Sequence, residues 1–243
     1  MFQPPLGGCS AQWATQLPSP TAPLSRPQAQ ALHALEAAVG TFDNPAFSCA
    51  LIAGDTVLLH LLHRLGYLSN STVRVFFLDT LHLFEETHSF LHRLERSFDF
   101  SAHVFSPSIA SSKAELEQRL GADVWKHQPE KYDRICKVEP FQRALNELEV
   151  DCLVNGRRRD HGHERAHLEL FDAASPGEPV KLQPLAYWEF RDCFDYLDKY
   201  GVEHHPLHDQ GYPSVGAPTR QSQPVGSLHR RSSLERSCGF LRR

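Results

Sequence analysis

The pattern of hydrophobic and polar residues in the central part of the chain alternates between two periods. Apolar residues recur every three or four positions in segments that predict helices at 28–39, 56–65, 84–98, 138–148 and 189–200, and a capping-box sequence predicts another at 113–120. Short apolar runs predict strands at 47–53, 73–78, 102–105, 151–154, 169–172 and 180–183. Because strands alternate with helices, the pattern predicts an α/β domain whose mostly parallel sheet has helices on both faces.

The two ends of the chain differ in composition from this central part. Residues 1–26 carry five prolines and no acidic residue, which predicts a disordered N-terminus and is compatible with an organellar targeting segment. Residues 214–243 carry six arginines, one acidic residue and little apolar periodicity, which predicts a flexible tail. The ordered domain is therefore expected to span residues 27–213.

The overall composition narrows the class of protein. The chain has 243 residues, of which 41% are hydrophobic, and its net charge of -4 argues against nonspecific binding of nucleic acid. No apolar run is long enough to cross a membrane. The six cysteines include no Cys-x-x-Cys pair, so neither a zinc site nor an iron–sulfur cluster is indicated. We expect a reducing compartment, the cytoplasm or an organelle, rather than secretion.

An arginine cluster follows the predicted strand at 151–154. A turn signal, Asn155-Gly156, comes first, and the basic residues are Arg157, Arg158, Arg159 and Arg165. Ligands of open α/β sheets bind outside the carboxyl ends of the strands, and each guanidinium can pair with a phosphate or sulfate through two hydrogen bonds. The cluster therefore predicts an anion-binding site, with a solvated basic loop as the alternative.

Two other strand ends carry candidate binding residues. Gly54 and Asp55 separate a strand from a helix, an arrangement that points backbone N–H groups at a phosphate, although Asp55 would repel an anion unless it faces away. Asp79 ends the next strand, where it would bind a ribose hydroxyl or cap the following helix. Local sequence favours the cap.

Histidines and a cysteine near the C-terminus suggest two further kinds of chemistry. His204, His205 and His208 invite a metal interpretation, but a proline interrupts them and no thiolate joins them, so no metal site is predicted. Cys238 lies near Arg236 and Arg242, whose positive charge would lower the pKa of its thiol. On chemistry alone, a lone cysteine in a basic tail is more often incidental than catalytic.

Several sequence blocks occur in an order that resembles one protein family. The blocks are Lys137–Pro140, Gly156–Arg158, Pro184–Trp188 and His205–Gly216, preceded by Phe77–Thr80 and Phe84–Thr87. They resemble the signature blocks of the assimilatory sulfonucleotide reductases, the adenylylsulfate and phosphoadenylylsulfate reductases. The resemblance covers residues 47–216 and implies an adenine-nucleotide α-hydrolase-like fold.

The resemblance also implies a reaction and a set of residues. A thiolate, Cys238 in this chain, would attack the sulfur of the activated sulfate, and a reduced thioredoxin, glutaredoxin-like or glutathione-type donor would then release sulfite. The implied substrate-binding residues are Lys137, Arg157, Arg158 and Arg165 around the phosphosulfate, together with Gly54, Asp79, Thr80 and His205. No nucleic acid or membrane partner is implied, and a homodimer stays open.

The chain departs from the family pattern at four places. Family members with a [4Fe–4S] cluster carry cysteines where this chain has Tyr132-Asp133 and Ala217–Arg220, which implies the cluster-free branch. The serines and first glycine of the family loop are absent from Ala50–Asp55, and the C-terminal motif is only partly matched at Ser237–Leu241. Two alternatives therefore stay open: a non-catalytic nucleotide-binding relative, and an ATP-dependent adenylating enzyme.

Overall fold

The computed structural model describes residues 25–161, 163–172, 175, 177–212 and 215. The predicted disordered N-terminus and flexible tail, and with them Cys238, lie almost wholly outside the described residues. Those predictions therefore stay predictions.

A six-stranded sheet forms the centre of the domain. Its strands are β1 (Pro45–Cys49), β2 (Arg74–Leu78), β3 (His103–Phe105), β4 (Cys152–Val154), β5 (Phe171–Asp172) and β6 (Val180–Leu182). The spatial order is β3-β2-β1-β4-β6-β5, and every neighbouring pair is parallel except β5 with β6. The predicted α/β class with a mostly parallel sheet is confirmed.

Helices cover both faces of the sheet. They are α1 (Arg26–Thr41), α2 (Ala53–Arg64), α3 (Glu85–Phe98), α4 (Lys113–Leu120), α5 (Val124–His127), α6 (Pro129–Asp133), α7 (Glu139–Glu147), α8 (Phe190–Tyr200) and α9 (Pro206–Asp209). Successive strand residues point to opposite faces. Phe47 therefore lies in a core with α1, α2, α3 and α8, whereas Ala46 and Phe76 lie in a second core with Ala144 of α7.

Two regions differ from the sequence prediction. A strand was predicted at 47–53, but β1 ends at Cys49. Leu51 adopts the left-handed backbone conformation (φ 62°), and Ala53 already begins α2. Leu51 and Ala53 are nevertheless buried, so one apolar run spans a strand, a turn and a helix start. The helix predicted from residue 138 is preceded by α5, α6 and a π-helical turn at Arg134–Val138, none of which was predicted.

The strand order reverses between β1 and β4. From β1 the chain builds β2 and β3 on one side, and the segment containing α4 to α7 then returns it to β4 on the other side of β1. In open α/β sheets, ligands bind outside the carboxyl ends of the strands at such a switch point. The turn after β1 and the loop after β4 are therefore the first place to look for a site.

Candidate functional site

The turn between β1 and α2 is folded around the carboxylate of Asp55. This side chain is buried, and the N–H of Ala50 donates a hydrogen bond to its Oδ2 at 2.7 Å. Burial raises the pKa of Asp55 to about 7, while hydrogen bonds from the backbone of Ala50, Ile52 and Leu51 and the charge of Arg158 act in the opposite direction. The acid therefore faces into the turn rather than away from it.

The loop after β4 interlocks with this turn. A methyl group added at Gly156 would lie 2.2 Å from Oδ1 of Asp55, and one added at Gly54 would lie 3.2 Å from Nη1 of Arg158. The approach at Gly156 leaves no room for a side chain unless Asp55 shifts, whereas a methyl group at Gly54 would need the Arg158 guanidinium to move by only a few tenths of an ångström. The structure brings the predicted residues Gly54 and Arg158 together at the switch point.

Arg158 is committed to partners within the protein. It is buried, and its guanidinium donates two hydrogen bonds to Asp160, from Nε at 3.0 Å and from Nη2 at 3.4 Å. Its guanidinium carbon also lies 5.6 Å from the centre of the Phe190 ring. Asp160 in turn accepts the backbone N–H of Phe190 at the start of α8. Arg158 therefore joins the β4 loop to α8, and its contact with a substrate stays a prediction.

Arg157 lies on the other side of the same loop. It is exposed and lines a groove of about 260 Å³ between α7 and β6, together with Phe141, Leu145 and Lys181. Its pKa is lowered, first by partial burial and then by the positive charge of Arg165, although Asp172 opposes this. Arg157 and Arg165 therefore place two positive charges close together beside the groove.

Lys137 belongs to the π-helical turn that leads into α7. Its Nζ lies 2.7 Å from a carboxylate oxygen of Asp133 and 5.6 Å from the centre of the Tyr132 ring, and its side chain is half exposed. π-Helical turns occur frequently at functional sites. An exposed ion pair is weak, so Asp133 leaves Lys137 available to a competing anion.

The carboxyl end of β2 carries a different kind of group. Oδ1 of Asp79 accepts the N–H of Leu81 at 2.8 Å, whereas α3 begins only at Glu85 and has no side-chain cap. The prediction that Asp79 caps the next helix was therefore wrong, because its carboxylate accepts a hydrogen bond from the backbone of Leu81 instead. Thr80, His82 and Tyr132 are buried nearby. Nδ1 of His82 lies 3.3 Å from the carbonyl oxygen of Thr80, whereas Nε2 of His82 and the hydroxyls of Thr80 and Tyr132 have no hydrogen-bond partner among the described residues.

His205 is held by the protein on both sides of its ring. It is fully buried, its Nε2 lies 3.1 Å from the hydroxyl of Thr87, and its Nδ1 accepts the N–H of Leu207. Burial lowers the pKa of His205 to about 4. Its observed role is to cap α9, and its assignment as a substrate contact stays a prediction.

The described cysteines do not resemble nucleophiles or ligands. Cys49, Cys136, Cys152 and Cys193 are free and buried, and burial raises the pKa of each thiol. Within the described ranges, no group of three or more histidine, cysteine or acidic residues could hold a metal ion. No helix in the same part of the chain is long and apolar enough to cross a membrane.

Comparison with known proteins assigns the chain to a family. Residues 44–223 match the model of the phosphoadenosine phosphosulfate reductase domain. The chain belongs to this family. It is 34% identical over 204 residues to phosphoadenosine 5′-phosphosulfate reductase of Xanthomonas axonopodis pv. citri, covering 81% of each chain.

Other reductases in the family are similarly distant. Phosphoadenosine phosphosulfate reductase of Emericella nidulans is 31% identical over 190 residues, which cover 76% of this chain and 62% of that relative. Adenosine 5′-phosphosulfate reductase of Anoxybacillus flavithermus is 29% identical over 199 residues, with 81% of each chain covered. The match therefore includes relatives named for either nucleotide.

Solved structures agree with the sheet topology. The phosphate complex of phosphoadenylyl-sulfate reductase from Candida auris superposes with a TM-score of 0.69 at 26% identity, covering 81% of this chain and 97% of that one. Candida glabrata FMN adenylyltransferase superposes with a TM-score of 0.54 at 18% identity, covering 82% and 66%. The second similarity shows the fold alone. The expected adenine-nucleotide α-hydrolase-like fold is confirmed.

Two acidic residues of this reductase-family site were not predicted to have the roles that the structure gives them. Asp160 follows Arg158 by two residues, and this spacing is the signal from which a local ion pair could have been inferred. Asp55 was expected to repel an anion unless it faces away, and its inward orientation depends on the left-handed turn at Leu51. No sequence signal indicates that turn, because leucine rarely adopts it.

Proposed function

We propose that this chain reduces phosphoadenylylsulfate or adenylylsulfate to sulfite in sulfate assimilation. The observation that supports this most directly is the position of the Gly156-Arg157-Arg158 segment. It leaves β4 where the strand order reverses, and it lies against the turn that follows β1. The family to which the chain belongs comprises reductases of these activated sulfates. The chain spans 62% of the Emericella nidulans relative and 81% of the Xanthomonas relative.

The proposed reaction is a nucleophilic displacement followed by reduction. The thiolate of Cys238 attacks the sulfur of the sulfonucleotide, a sulfur–sulfur bond forms, and the bond from sulfur to the bridging phosphate oxygen breaks. The nucleotide leaves with the electron pair of that bond. A reduced thioredoxin, or a glutaredoxin-like or glutathione-type donor, then attacks the thiosulfonate, so that sulfite leaves and the donor thiols are oxidised to a disulfide.

The basic residues have two proposed roles, contact with the substrate and positioning of the loop. Lys137, Arg157 and Arg165 would contact the phosphosulfate and a 3′-phosphate, because their charged ends are on the surface of the domain. Positive charge placed there would offset the negative charge that develops on the leaving nucleotide. Arg158 would hold the loop in position. Gly54 would admit the substrate to the turn, and Asp79, Thr80 and His205 would complete the binding site.

The proposed enzyme uses no iron–sulfur cluster. The family resemblance implies that cluster-bearing relatives carry paired cysteines where this chain has Tyr132 and Asp133. Tyr132 is buried in a small core with Leu116 and Val124, so its phenol ring occupies this position as a packing residue. The electron donor would instead be an external thiol.

Sulfite release tests the proposed function. Purified protein is incubated with reduced thioredoxin and either adenylylsulfate or phosphoadenylylsulfate, and sulfite is quantified over time. We expect sulfite from at least one nucleotide, and none from the Cys238→Ser variant. Normal nucleotide binding without sulfite would identify a non-catalytic relative, whereas magnesium-dependent release of pyrophosphate from ATP would identify an adenylating enzyme.

A further inference from the structure

The π-helical turn before α7 places one lysine against two different partners. The N–H of Glu139 donates to the carbonyl oxygen of Arg134, five residues earlier, so this turn holds one residue more than a turn of α-helix. Lys137 consequently contacts both Asp133, four residues before it, and Tyr132, five residues before it. On a regular α-helix only residues three or four positions apart are neighbours, so the contact with Tyr132 depends on the π-helical turn.

The two partners differ in how they leave the ammonium of Lys137. Asp133 lies 2.7 Å from Nζ, and its carboxylate takes a positive charge and a donor that an anion would need. Both side chains are about half exposed, so this pair is weak. The Tyr132 ring centre lies 5.6 Å from Nζ, within the range of a cation–π contact. A ring face occupies no N–H donor fully, so this contact can persist when an anion binds from the other side.

Burial makes the Tyr132 ring a fixed support. The side chain is 2% exposed and packs in a small core with Leu116, Val124 and Cys136. The ring of His82 meets it edge to face, with the two ring centres 5.5 Å apart. The hydroxyl of Tyr132 has no hydrogen-bond partner among the described residues. The ring is therefore held by packing rather than by its hydroxyl.

We infer that Tyr132 is a positioning residue, whose ring holds the ammonium of Lys137 in place for the substrate anion while Asp133 releases it. The inference rests on the proposed function for the identity of that anion. It gives the buried ring a role beyond packing, and it gives the π-helical turn the role of bringing ring and ammonium together.

A similar group of side chains at α5 supplies matched controls. Lys126 pairs with Asp123 at 2.7 Å, and its Nζ lies 4.5 Å from the centre of the Trp125 ring. Trp125 packs against the same small core as Tyr132, but it is only partly buried. None of these three residues is among those proposed to bind the substrate.

Binding of adenosine 3′,5′-bisphosphate to the full chain, measured by isothermal titration at fixed salt, tests this role. We expect Tyr132→Leu to raise the Kd about two- to fivefold, and Tyr132→Phe, which keeps the ring, to leave the Kd unchanged. In a Lys137→Met background, Tyr132→Leu should have no further effect, because the ammonium that the ring positions is absent. Trp125→Leu loosens the same core and removes the corresponding contact of Lys126, and it should not change the Kd.

The competing carboxylate should act in the opposite direction. Asp133→Asn removes it and should lower the Kd about twofold, since an exposed pair is easily given up. Asp123→Asn changes the net charge equally and should leave the Kd unchanged.

Three results would overturn the inference. They are an unchanged Kd in Tyr132→Leu, an equal loss in Tyr132→Phe, and a loss that persists in the Lys137→Met background. If Tyr132→Leu does not fold, Tyr132→Met replaces it in the same comparison, because a flexible methionine fills the space of the ring. A wild type that binds the bisphosphate but releases no sulfite contradicts the proposed function alone, whereas a wild type that does not bind contradicts both.

Discussion

Arg157 and Arg158 are neighbours in the chain but belong to two regions with opposite properties. Around Arg158, the β1–α2 turn and the β4 loop are closely packed, and the guanidinium is buried against Asp160 and Phe190. Around Arg157, a groove remains open, and partial burial together with the positive charge of Arg165 lowers the pKa of Arg157. One region uses its positive charge to hold the loop in place, and the other presents positive charge to solvent.

The difference shows why a cluster of arginines is not one site. Adjacent residues of an extended loop point in opposite directions, so two guanidinium groups in sequence reach opposite sides of the sheet edge. A buried ion pair is costly to break, whereas an exposed cation can exchange water for a ligand. Arg158 is therefore expected to affect stability, and Arg157 is expected to affect nucleotide affinity.

The largest effect is expected for Gly156→Ala, which places a methyl group on the carboxylate of Asp55. The 2.2 Å approach forces the turn and the loop apart, and overpacking of this kind costs about 3 kcal/mol of unfolding free energy. Urea denaturation measures the loss. Gly40→Ala is the control, because an added methyl group there meets nothing within 4 Å, and alanine is the better helix former. Equal stabilities of the two variants would contradict the close packing of Gly156 against Asp55.

The next largest effect is the loss of unfolding free energy in Arg158→Ala, which we compare with Arg157→Ala. Arg158→Ala leaves Asp160 without its partner, and we expect a loss of roughly 2 kcal/mol, below the range for a fully buried pair because Asp160 is partly exposed to solvent. Arg157→Ala should change the unfolding free energy by less than about 0.5 kcal/mol, as for other surface substitutions. Urea titration of both variants provides the measurement. A comparable loss in both would show that the two regions do not differ as described.

We expect Arg157→Ala to affect nucleotide affinity more than Arg158→Ala does, which is the opposite of their order in stability. Arg157→Ala should weaken binding of adenosine 3′,5′-bisphosphate by about 1.5–3 kcal/mol, the range for a hydrogen bond to a charged group. Arg191→Ala is the control, since it also removes one exposed arginine but lies on α8 in a pair with Asp195. Isothermal titration at fixed salt measures both. If the two variants lose affinity equally, the effect is one of net charge rather than of a localised site.

A smaller effect concerns pH and the buried His60. Its Nδ1 lies 2.8 Å from the hydroxyl of Tyr196, and burial lowers its pKa to about 4. Between pH 4 and 6.5 the unfolded chain binds more protons than the folded one, so stability rises with pH across this window and is lost as the pH falls. Asp55 acts oppositely, because its pKa is raised and the folded state binds the extra proton.

Replacing His60 isolates its contribution. The unfolding free energy at pH 5 minus that at pH 7 should be about 1–2 kcal/mol more positive in His60→Asn than in the wild type, because Asp55 contributes equally to both. His92→Asn removes an exposed histidine and is the control. Urea titrations of the three proteins at both pH values provide the comparison. An identical difference between the two pH values in all three would show that His60 is not held neutral.

The hydrophobic pattern predicted the α/β class and most of the elements, because buried strands and amphipathic helices have distinct periods. It misplaced the end of β1, because the apolar residues Leu51 and Ala53 are buried in a turn and a helix start. It also missed α5 and α6, which are only four and five residues long. Segments so short have little periodicity of their own.

The candidate site was predicted in part. The position of Gly54 and of the arginines at strand ends followed from the order of elements. The opposite directions of Arg157 and Arg158, the ion pair with Asp160 and the inward carboxylate of Asp55 depend on side-chain packing around one loop. Packing between residues about 100 positions apart is not encoded in any local pattern.

Intact-mass measurement of the full chain tests the central claim most directly. The wild type and Cys238→Ser are each incubated with phosphoadenylylsulfate or adenylylsulfate in the absence of any thiol donor, so that the enzyme thiosulfonate accumulates. We predict one added sulfonate group on the wild type, its loss when reduced thioredoxin is supplied, and no adduct on Cys238→Ser. Nucleotide binding without an adduct on the wild type would contradict the assignment of this chain as a reductase.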